Sequence, residues 1–589
     1  MDKKINKTLS SFDEPVKKNI LSWLNGPYDE KTKEEIKYLL QTNPKALINA
    51  FFKPLSFGTA GAREIMGVGT NRLNRYTIHT ITQGLANYLK KEKKEKKEKS
   101  SVIIGYDNRN NSRFFAEETA KVLAGNGFYV YLFQALRPTP LVSFGCRYKH
   151  CAAAVMITAS HNTPEYNGYK VYWSDGGQVI PPHDEGIMEE VKKITSNKQI
   201  KISEKKDPLI SSILTSIDEA YLKRLNTLVT YDKSKSFGKD LSIVYTNLHG
   251  TGITIVPKAL KERGFTNLSF VEEQKVTSGD FPFAPHPNPE EREALSLGIE
   301  KMLRTNGDIL IANDPDADRM AVVVNHKNTP YILTGNQLAS LFVHHICEMQ
   351  KTTLPKNSAF IKSIVTTELF KVIVESFHMK SFDVLTGFKY IAEKIDLWEK
   401  NKDYKFIFGA EESYGYLFGD FVRDKDAISA SCLIAEIALL SKKEEKTLLD
   451  VLYSLYKKYG IYREKIRSIS FSEGKEGMEK MKNLMEQLRK KPPQAIANCS
   501  VAILEDYQTG LIYNLKEKKK KSLSLPKSNV LVFHLEDATK LTLRPSGTEP
   551  KIKIYGEVHE ENFSSLEEGI KICDERLIAL IDAIEEEII

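Results

Sequence analysis

The chain has 589 residues, of which 41% are hydrophobic and 28% charged, and a formal net charge of +8, so it is long enough for about three to five domains. It has no run of about 18 apolar residues and no basic start followed by an apolar segment, which argues against a membrane span or a secretory leader. Its six cysteines are scattered without a CxxC pair, which disfavours a disulfide framework or a zinc site. We therefore expect a cytoplasmic protein with reduced thiols and no membrane partner.

Much of the positive charge lies in two lysine-rich runs, KKEKKEKKEK at residues 90–99 and KEKKKK at residues 516–521. No aromatic residues alternate with these lysines, so they lack the stacking surface that single-stranded nucleic acids require. We interpret both runs as solvated helix ends or loop insertions. The remaining basic balance suits a phosphorylated small substrate, and we expect no nucleic-acid partner.

Apolar, strand-like runs alternate with amphipathic helical stretches along most of the chain. The helix-like RFFAEETAKVLAGNG follows SVIIGYD and precedes YVYLFQ and AAAVMITAS, and the alternation returns in LSIVYTNLHG, ITIVPKALKERGF and DILIAND. This alternation is typical of βαβ units and predicts α/β layers. Composition shifts divide the chain into four predicted domains, 1–230, 231–330, 331–457 and 458–589.

The first chemically informative stretch is residues 155–172, VMITASHNTPEYNGYKVY, in which an apolar, β-branched run ends at a polar turn around Ser160. A strand can fix such a serine while the loop leaves its hydroxyl reachable, which makes Ser160 a candidate nucleophile. A serine in a loop is more often a turn or cap residue. The pattern alone therefore leaves both interpretations open.

Residues 313–319, NDPDADR, lie between the strand-like DILIA and MAVVV. Three carboxylates at alternate positions, Asp314, Asp316 and Asp318, repel one another unless a hard cation draws them together, and Mg²⁺ prefers oxygen ligands. An EF-hand does not fit, because its sixth position would need glycine and holds Arg319. The pattern predicts a Mg²⁺ site, with solvated turn aspartates as the alternative.

Two later loops carry polar groups suited to a sugar phosphate. Residues 409–415, GAEESYG, follow the strand-like KFIF and offer the Glu411 carboxylate and the Ser413 hydroxyl to adjacent sugar hydroxyls. Residues 544–550, RPSGTEP, offer a phosphate one guanidinium, two hydroxyls and a glycine that allows close approach. Each string is weak alone, because paired glutamates are usually surface residues and RPSG is often a plain turn.

Together these strings resemble the functional loops of one enzyme family. TASHN with YNGYK, DPDADR, GAEES and RPSGTEPK resemble, in order and spacing, the four loops of the α-D-phosphohexomutase superfamily, the phosphoglucomutases and phosphomannomutases. FGTAGAR at 57–63, GYDNR at 105–109 and TGFK at 386–389 resemble further family segments. The string GTAGAR and the length of the chain are similar to those of one branch of the family, the longer phosphoglucomutase-2 and phosphopentomutase group.

The resemblance implies a four-domain fold, with three similar mixed α/β domains and a smaller, TBP-like α+β domain at the C-terminal end. The implied catalytic residues are Ser160, His161, Lys170 and Arg63. The implied metal ligands are Asp314, Asp316, Asp318 and Ser160 in its phosphorylated form. The implied substrate-binding residues are Arg319, Thr386, Gly387, Lys389, Glu411 and Ser413. The implied phosphate-binding residues are Arg544, Ser546, Gly547 and Thr548.

The resemblance also implies a ping-pong phosphoryl shuttle with Mg²⁺ as cofactor and glucose 1,6-bisphosphate as intermediate and activator. Lys170 is implied as the general acid/base and His161 as a second candidate, and we expect burial and nearby cations to lower the pKa of Lys170. The expected reaction interconverts glucose 1-phosphate and glucose 6-phosphate in a monomer or dimer. A phosphopentomutase, a phosphomannomutase, a phosphatase and a non-catalytic binder of sugar phosphates are the alternatives.

Three details stand beside the resemblance. Ala410 occupies a position where the family usually has glycine, which leaves the conformation of that loop open. We expect Asp107 and Arg109 to pair near the serine loop. His249 lacks ligand spacing and is expected to be structural.

Overall fold

The structure is a computed structural model that describes residues 8–55, 61–92, 100–204, 206–231, 234–472, 475–547 and 550–588. The chain divides into two compact units. The first unit comprises residues 1–330, 392–397 and 416–435, and the second comprises residues 331–391, 398–415 and 436–589.

Between residues 14 and 51 the first unit contains three helices, which precede its sheets. They are Glu14–Asn25 (α1), Glu30–Thr42 (α2) and Pro44–Phe51 (α3). Their apolar side chains pack in a core of their own that includes Trp23 and Ile36. Polar residues lie between the apolar ones along this segment. The apolar residues recur at helical spacing, so they lie on one face of each helix, and this spacing is the pattern that indicates helices rather than a loop.

A six-stranded mixed sheet follows. Its strands are Ala62–Ile65 (β1), Ser101–Tyr106 (β2), Tyr129–Phe133 (β3), Ala153–Ile157 (β4), Tyr166–Trp173 (β5) and Ile210–Ile213 (β6), in the order β1-β5-β4-β2-β3-β6. Its helices are Arg75–Glu92 (α4), Ser112–Gly125 (α5), Thr139–Tyr148 (α6), His183–Lys192 (α7) and Ser216–Leu225 (α8). Strand β4 is buried along its whole length, which explains its unbroken apolar sequence.

A five-stranded sheet forms the next layer. Its strands are Ile243–Thr246 (β7), Leu268–Phe270 (β8), Ile309–Asn313 (β9), Met320–His326 (β10) and Thr329–Leu333 (β11), in the order β11-β10-β9-β7-β8. Its helices are Ser234–Phe237 (α9), Val256–Glu262 (α10), Glu272–Lys275 (α11) and Arg292–Arg304 (α12). Strands β9 and β10 are antiparallel with Asn313 opposite Met320, so the three predicted metal ligands lie in the tight connection between them.

The next stretch of chain contains a four-stranded sheet. Its strands are Ser358–Ser363 (β12), Lys380–Val384 (β13), Lys405–Glu411 (β14) and Gly415–Phe418 (β15), in the order β13-β12-β14-β15. The helices of this stretch of chain are Gly335–Gln350 (α13), Glu368–Ser376 (α14), Phe388–Asn401 (α15), Ala427–Lys443 (α16) and Leu448–Tyr459 (α17). Strands β13 and β14 are both parallel to β12, as alternating strands and helices predict.

The C-terminal part of the second unit is an eight-stranded sheet. Its strands are Ile461–Ser470 (β16), Ala495–Ile496 (β17), Cys499–Asp506 (β18), Leu511–Asn514 (β19), Lys519–Ser522 (β20), Leu531–Leu535 (β21), Lys540–Pro545 (β22) and Lys551–Glu560 (β23). Its helices are Lys475–Lys490 (α18) and Leu566–Ile588 (α19). The strand order is β16-β23-β22-β21-β18-β19-β20, with β17 beside β18.

The second lysine-rich run is divided between a turn and a strand, so the prediction of a loop holds for its first half only, since residues 516–518 lie in the turn between β19 and β20. Residues 519–521 belong to β20, which pairs with β19 as the edge strand of the sheet. Their side chains are exposed, and lysines on an edge strand discourage pairing with another chain. Of the first run, residues 93–99 lie outside the described residues.

The predicted α/β layers and the different, sheet-rich C-terminal fold are confirmed. The four domain boundaries and the TBP-like topology stay predictions. None of the six cysteines forms a disulfide, and five are buried. In the part of the chain that the structure describes, no helix is long and apolar enough to cross a membrane.

Candidate active site

Ser160 lies just beyond the end of β4, in the turn that the sequence predicts. Its φ of 52° is left-handed, which is uncommon for a residue other than glycine. Its Oγ donates a hydrogen bond of 2.7 Å to Oδ2 of Asp314, and Nδ1 of His161 lies 3.3 Å from the same Oγ. Ser160 is only 2% exposed. Oγ is therefore bonded to a buried carboxylate rather than exposed in a loop, and its access to a substrate stays a prediction.

Arg109 holds the serine loop in place. Its guanidinium donates to the backbone carbonyl oxygens of four residues in the range 160–166, using several of its five donors at once. Its Nε lies 3.5 Å from Oδ2 of Asp107. The predicted pairing of Asp107 with Arg109 is confirmed. The bonds from Arg109 to the carbonyl oxygens of the loop explain how Ser160 keeps its strained φ.

Asp314, Asp316 and Asp318 are buried, and each has a carboxylate oxygen within 4.8 Å of those of the other two. Oδ1 of Asp316 and Oδ1 of Asp318 have no hydrogen-bond partner among the residues that the structure describes. Buried carboxylate oxygens without partners are unfavourable, and three hard oxygen ligands this close together fit a divalent cation. The three residues could therefore hold a metal ion.

The first aspartate of the loop is also the one bonded to the serine. Oδ1 of Asp314 accepts the backbone N–H groups of Asp318 and Arg319 at 3.1 and 2.9 Å. Burial and the neighbouring carboxylates of Asp318 and Asp316 raise the pKa of Asp314 well above its usual range. Bringing the three carboxylates together thus carries an electrostatic penalty that a bound cation would remove.

Lys170 projects from β5 toward the aspartates. Its Nζ lies 2.9 Å from Oδ2 of Asp316 and 3.3 Å from Oδ2 of Asp318. Burial lowers the pKa of Lys170, but the carboxylates of Asp316 and Asp318 outweigh burial and the net pKa is raised. The expected lowering is therefore wrong. Lys170 holds its proton and is a proton donor in this arrangement.

Lys425 is a second lysine at the aspartates, partly buried, that the sequence analysis missed. Its Nζ lies 3.1 Å from Oδ2 of Asp318. Burial raises the pKa of Asp318, but Lys425 and Lys170 outweigh it and lower the net pKa. The adjacent Asp424 accepts hydrogen bonds from the Tyr172 hydroxyl at 2.9 Å and from Gln178 at 2.8 Å, which anchors the segment. The signal was RDKD at residues 423–426, four consecutive ionisable residues between apolar stretches of the chain.

Three more predicted site residues lie in the first unit. Nη1 of Arg63 donates to Oδ1 of Asn162 at 2.7 Å, and Arg319 forms an ion pair with Glu290. Burial, followed by Arg319 and Arg63, lowers the pKa of His161 well below its usual range. His161 is therefore neutral. Residues 57–60 of the FGTAGAR segment lie outside the described residues.

In the second unit the structure brings together the predicted sugar-binding residues from two segments. The backbone N–H of Gly387, whose φ is 124°, donates to Oε1 of Glu411 at 2.7 Å. Glu411 ends β14, so Gly409 and Ala410 belong to a strand rather than to the predicted loop. Ala410 pairs with Lys362 of β12 and needs no left-handed φ, so alanine fits where the family usually has glycine.

Thr386 precedes Gly387, Lys389 lies in the first turn of α15, and Ser413 lies in the turn between β14 and β15. Oγ1 of Thr386 is buried without a hydrogen-bond partner in the described ranges. A buried hydroxyl in that state can bond to a ligand.

The predicted phosphate loop follows Arg544, near the end of β22. The backbone N–H of Ser546 donates to the carbonyl oxygen of Lys551 at 2.8 Å and closes the turn. Gly547 is exposed, and no described atom lies within 4 Å of the place where its Cβ would be. Thr548 lies outside the described residues.

The sequence matches family models over more than half of its length. The models are described as phosphoglucomutase/phosphomannomutase, alpha/beta/alpha domains I, II and III, and match residues 54–198, 219–327 and 334–459. A phosphoglucomutase of Staphylococcus haemolyticus (strain JCSC1435) is 39% identical over 526 residues, 88% of this chain and 93% of that protein. A phosphoglucomutase of Staphylococcus aureus (strain bovine RF122 / ET3-1) is 36% identical over 526 residues, 89% and 93% of the two chains.

Two solved structures share the fold. Parafusin, a phosphoglucomutase from Paramecium, superposes with a TM-score of 0.67 at 18% identity, over 91% of this chain and 95% of that chain. A phosphoglucomutase/phosphomannomutase family protein from Burkholderia thailandensis superposes with a TM-score of 0.64 at 16% identity, over 90% and 96%. At these identities the two structures bear on the fold alone. The matched domains and the two relatives establish that this chain belongs to the phosphoglucomutase/phosphomannomutase family of phosphohexomutases, which are isomerases.

Proposed function

We propose that the protein is a phosphoglucomutase that interconverts glucose 1-phosphate and glucose 6-phosphate through a phosphoserine at Ser160. The observation that carries the proposal is the hydrogen bond of 2.7 Å between Ser160 Oγ and Asp314, at the edge of three buried carboxylates. A serine in that place can carry a phosphoryl group next to a cation. The relatives named phosphoglucomutase cover most of the chain and support a hexose substrate.

We propose Mg²⁺ as the cation. Asp314, Asp316 and Asp318 would hold it together with an oxygen of the phosphorylated Ser160, since all four are hard oxygen ligands of the kind Mg²⁺ prefers. The partnerless Oδ1 atoms of Asp316 and Asp318 support this assignment. When bound, Mg²⁺ neutralises charge that develops on the transferring phosphoryl group.

The transfer exchanges one ester bond for another. The bond between phosphorus and Ser160 Oγ breaks while a sugar hydroxyl oxygen bonds to phosphorus, which produces glucose 1,6-bisphosphate. The sugar hydroxyl loses one proton and Oγ regains one, so protons balance. His161, which is neutral and lies 3.3 Å from Oγ, can accept the proton that the sugar hydroxyl loses, and Lys170, which is protonated, can donate the proton that Oγ regains. The reverse transfer of the other phosphate restores the phosphoserine.

The remaining residues bind the parts of the sugar phosphate that do not react. We assign the sugar hydroxyls to Glu411 and Ser413, and the phosphate that is not transferred to Arg544, Ser546, Gly547 and Thr548. The further substrate contacts that we assign are Arg319, Thr386, Gly387 and Lys389, and Arg63 is assigned to catalysis. Glucose 1,6-bisphosphate would prime the serine as activator. A cytoplasmic location and a monomeric or dimeric state stay predictions.

The test is a product analysis with purified protein, Mg²⁺ and a trace of glucose 1,6-bisphosphate. We expect glucose 1-phosphate to give glucose 6-phosphate without release of inorganic phosphate. Free phosphate would identify a phosphatase, and no product would identify a non-catalytic binder. Mannose 1-phosphate and ribose 1-phosphate are measured beside it on one preparation, and a higher kcat/KM for the pentose would overturn the hexose assignment while leaving the mutase chemistry intact.

A further inference from the structure

Thr139 makes two hydrogen bonds to a single residue of the metal loop. It is the first residue of α6 and is fully buried. Its Oγ1 donates to Oδ2 of Asp316 at 2.8 Å, and its backbone N–H donates to the carbonyl oxygen of Asp316 at 2.9 Å. An N–H in the first turn of a helix has no acceptor within that helix. Both donors of Thr139 are therefore available to one aspartate.

These bonds show which carboxylate oxygen of Asp316 already accepts hydrogen bonds. Oδ2 accepts hydrogen bonds from Thr139 and from Nζ of Lys170, which lies 2.9 Å away. Oδ1 is buried without a hydrogen-bond partner in the described part of the chain. Two donors converging on Oδ2 hold the carboxylate in one orientation and leave Oδ1 as the oxygen for a cation.

The metal loop is also held one residue earlier, by the HGTG segment. The backbone N–H and Oγ1 of Thr251 both donate to the carbonyl oxygen of Pro315, at 2.7 and 2.8 Å. A Cβ on Gly250 would lie 2.3 Å from Cα of Pro315, so this approach requires glycine. Thr251 fixes only backbone. Thr139 is the threonine that fixes both the backbone and the ligating carboxylate.

We propose that Thr139 is a positioning residue for the metal site, whose hydroxyl orients Asp316 so that Oδ1 faces the cation. The inference rests on the proposed function in one respect, that a cation occupies the three aspartates. Hydrogen bonds to ligating groups typically change metal affinity by about 10–100-fold. A merely structural contact would change the stability of the fold and leave the affinity for the cation unaltered.

The experiment measures Mn²⁺ binding to the full chain, from the free-ion signal in electron paramagnetic resonance, without substrate. Thr139→Val removes the hydroxyl and keeps the side-chain shape, Thr139→Ser keeps the hydroxyl, and Thr139→Ala serves if valine prevents folding. Thr82→Val is the matched control, because Thr82 is equally buried and its hydroxyl bonds to Ile78 and Tyr169, outside the metal loop. Melting temperatures in chelator are recorded for every variant.

We expect the Kd for Mn²⁺ to rise by about 10–100-fold in Thr139→Val and to stay near the wild-type value in Thr139→Ser and Thr82→Val. Equal Kd values in wild type and Thr139→Val would overturn the positioning role and leave the proposed mutase function standing. An equal rise in Thr139→Ser would also overturn it, since the hydroxyl would then not be responsible. Absence of binding to the wild type would overturn the metal assignment and this inference together.

Discussion

The serine and aspartate loops of the first unit differ from the proposed sugar and phosphate loops of the second unit. The difference is how many of their polar groups are already bonded to other residues of the protein. In the first unit Ser160 bonds to Asp314, and Lys170 and Lys425 pair with the other two aspartates. All of these residues except Lys425, which is partly buried, are buried. In the second unit Gly547 is exposed and Oγ1 of Thr386 has no described hydrogen-bond partner. Groups that stabilise the charge of a transferring phosphoryl group act best when they are already oriented. Groups that bind a substrate need hydrogen-bonding capacity that the protein itself does not use.

The largest effect should come from the centre of the first region. Replacing Ser160 with alanine removes the only proposed phosphoryl carrier, so kcat should fall by about 10⁴-fold or more. Intact-mass measurement should show a species heavier by one phosphoryl group in the native protein and none in the variant. Ser340→Ala, which removes a buried hydroxyl bonded within α13, is the control. Near-native turnover in Ser160→Ala would refute the phosphoserine.

Lys425 tests whether the first region is an electrostatic assembly. Lys425→Met leaves Asp318 with one lysine fewer and removes a fixed charge, so kcat should fall by about 10²–10³-fold. Lys425→Arg keeps the charge and should lose less. The exposed Lys446→Met, which removes only a surface pair with Glu444, is the matched control. An unchanged kcat in Lys425→Met would make Lys425 a structural partner of Asp318 only.

In the second region Glu411 should matter through the substrate. Glu411→Ala removes a charged acceptor that is bonded to Gly387, and kcat/KM for glucose 1-phosphate should fall by about 2–3 kcal/mol in free-energy terms. Substituting the exposed Glu375 of α14 in the same way should have no measurable effect. If kcat/KM survives in Glu411→Ala, the sugar contact must lie elsewhere.

Arg544 separates binding from chemistry. Because the phosphate that it is proposed to hold is bound both before and during transfer, Arg544→Ala should raise KM by about 10-fold and change kcat less. Arg544→Lys keeps the charge but not the planar guanidinium, so its KM should lie between those of the wild type and Arg544→Ala. The measurement is steady-state kinetics with glucose 1-phosphate as the varied substrate. An unaltered KM would show that RPSGT is a structural turn and not a phosphate-binding loop.

The smallest effect concerns stability in the second unit. Glu557 is opposite Glu464 in the pairing of β16 with β23, and it accepts the backbone N–H of Glu368 at 3.0 Å. Burial, then the Glu464 and Glu368 carboxylates, raises the pKa of Glu557 from 4.5 to about 8, although Lys540 and Lys362 oppose the shift.

Between these two values the folded protein keeps a proton that the unfolded chain releases. The stabilisation is full below the unfolded pKa and is lost as pH rises through the folded pKa. Glu557→Gln removes this dependence, so between pH 5.5 and 8.5 its melting temperature should fall less than that of the wild type, by about 2–4 °C. The exposed Glu561→Gln is the control. Parallel melting curves for Glu557→Gln and wild type would contradict the raised pKa.

The sequence was informative where function requires neighbouring residues on one loop. TASHN, DPDADR and RPSGT each put several functional groups within a few positions, and the strands before them were recognisable from apolar runs. Lys425 and Thr139 were missed because their roles depend on residues far away along the chain. Thr139 is 177 positions from Asp316, and no local pattern reports a contact of that separation.

The sequence by itself determined the alternation of strands and helices, the family, and the positions along the chain of the serine, the three aspartates and Glu411. These follow from side-chain periodicity and short strings, which are properties of adjacent residues. Only the tertiary structure decided that Lys170 keeps its proton, that Ser160 is buried against Asp314, and that Thr139 holds Asp316. Each of these depends on the distance between atoms from different elements, and both hydrogen bonds and pKa shifts are set by that distance and by burial.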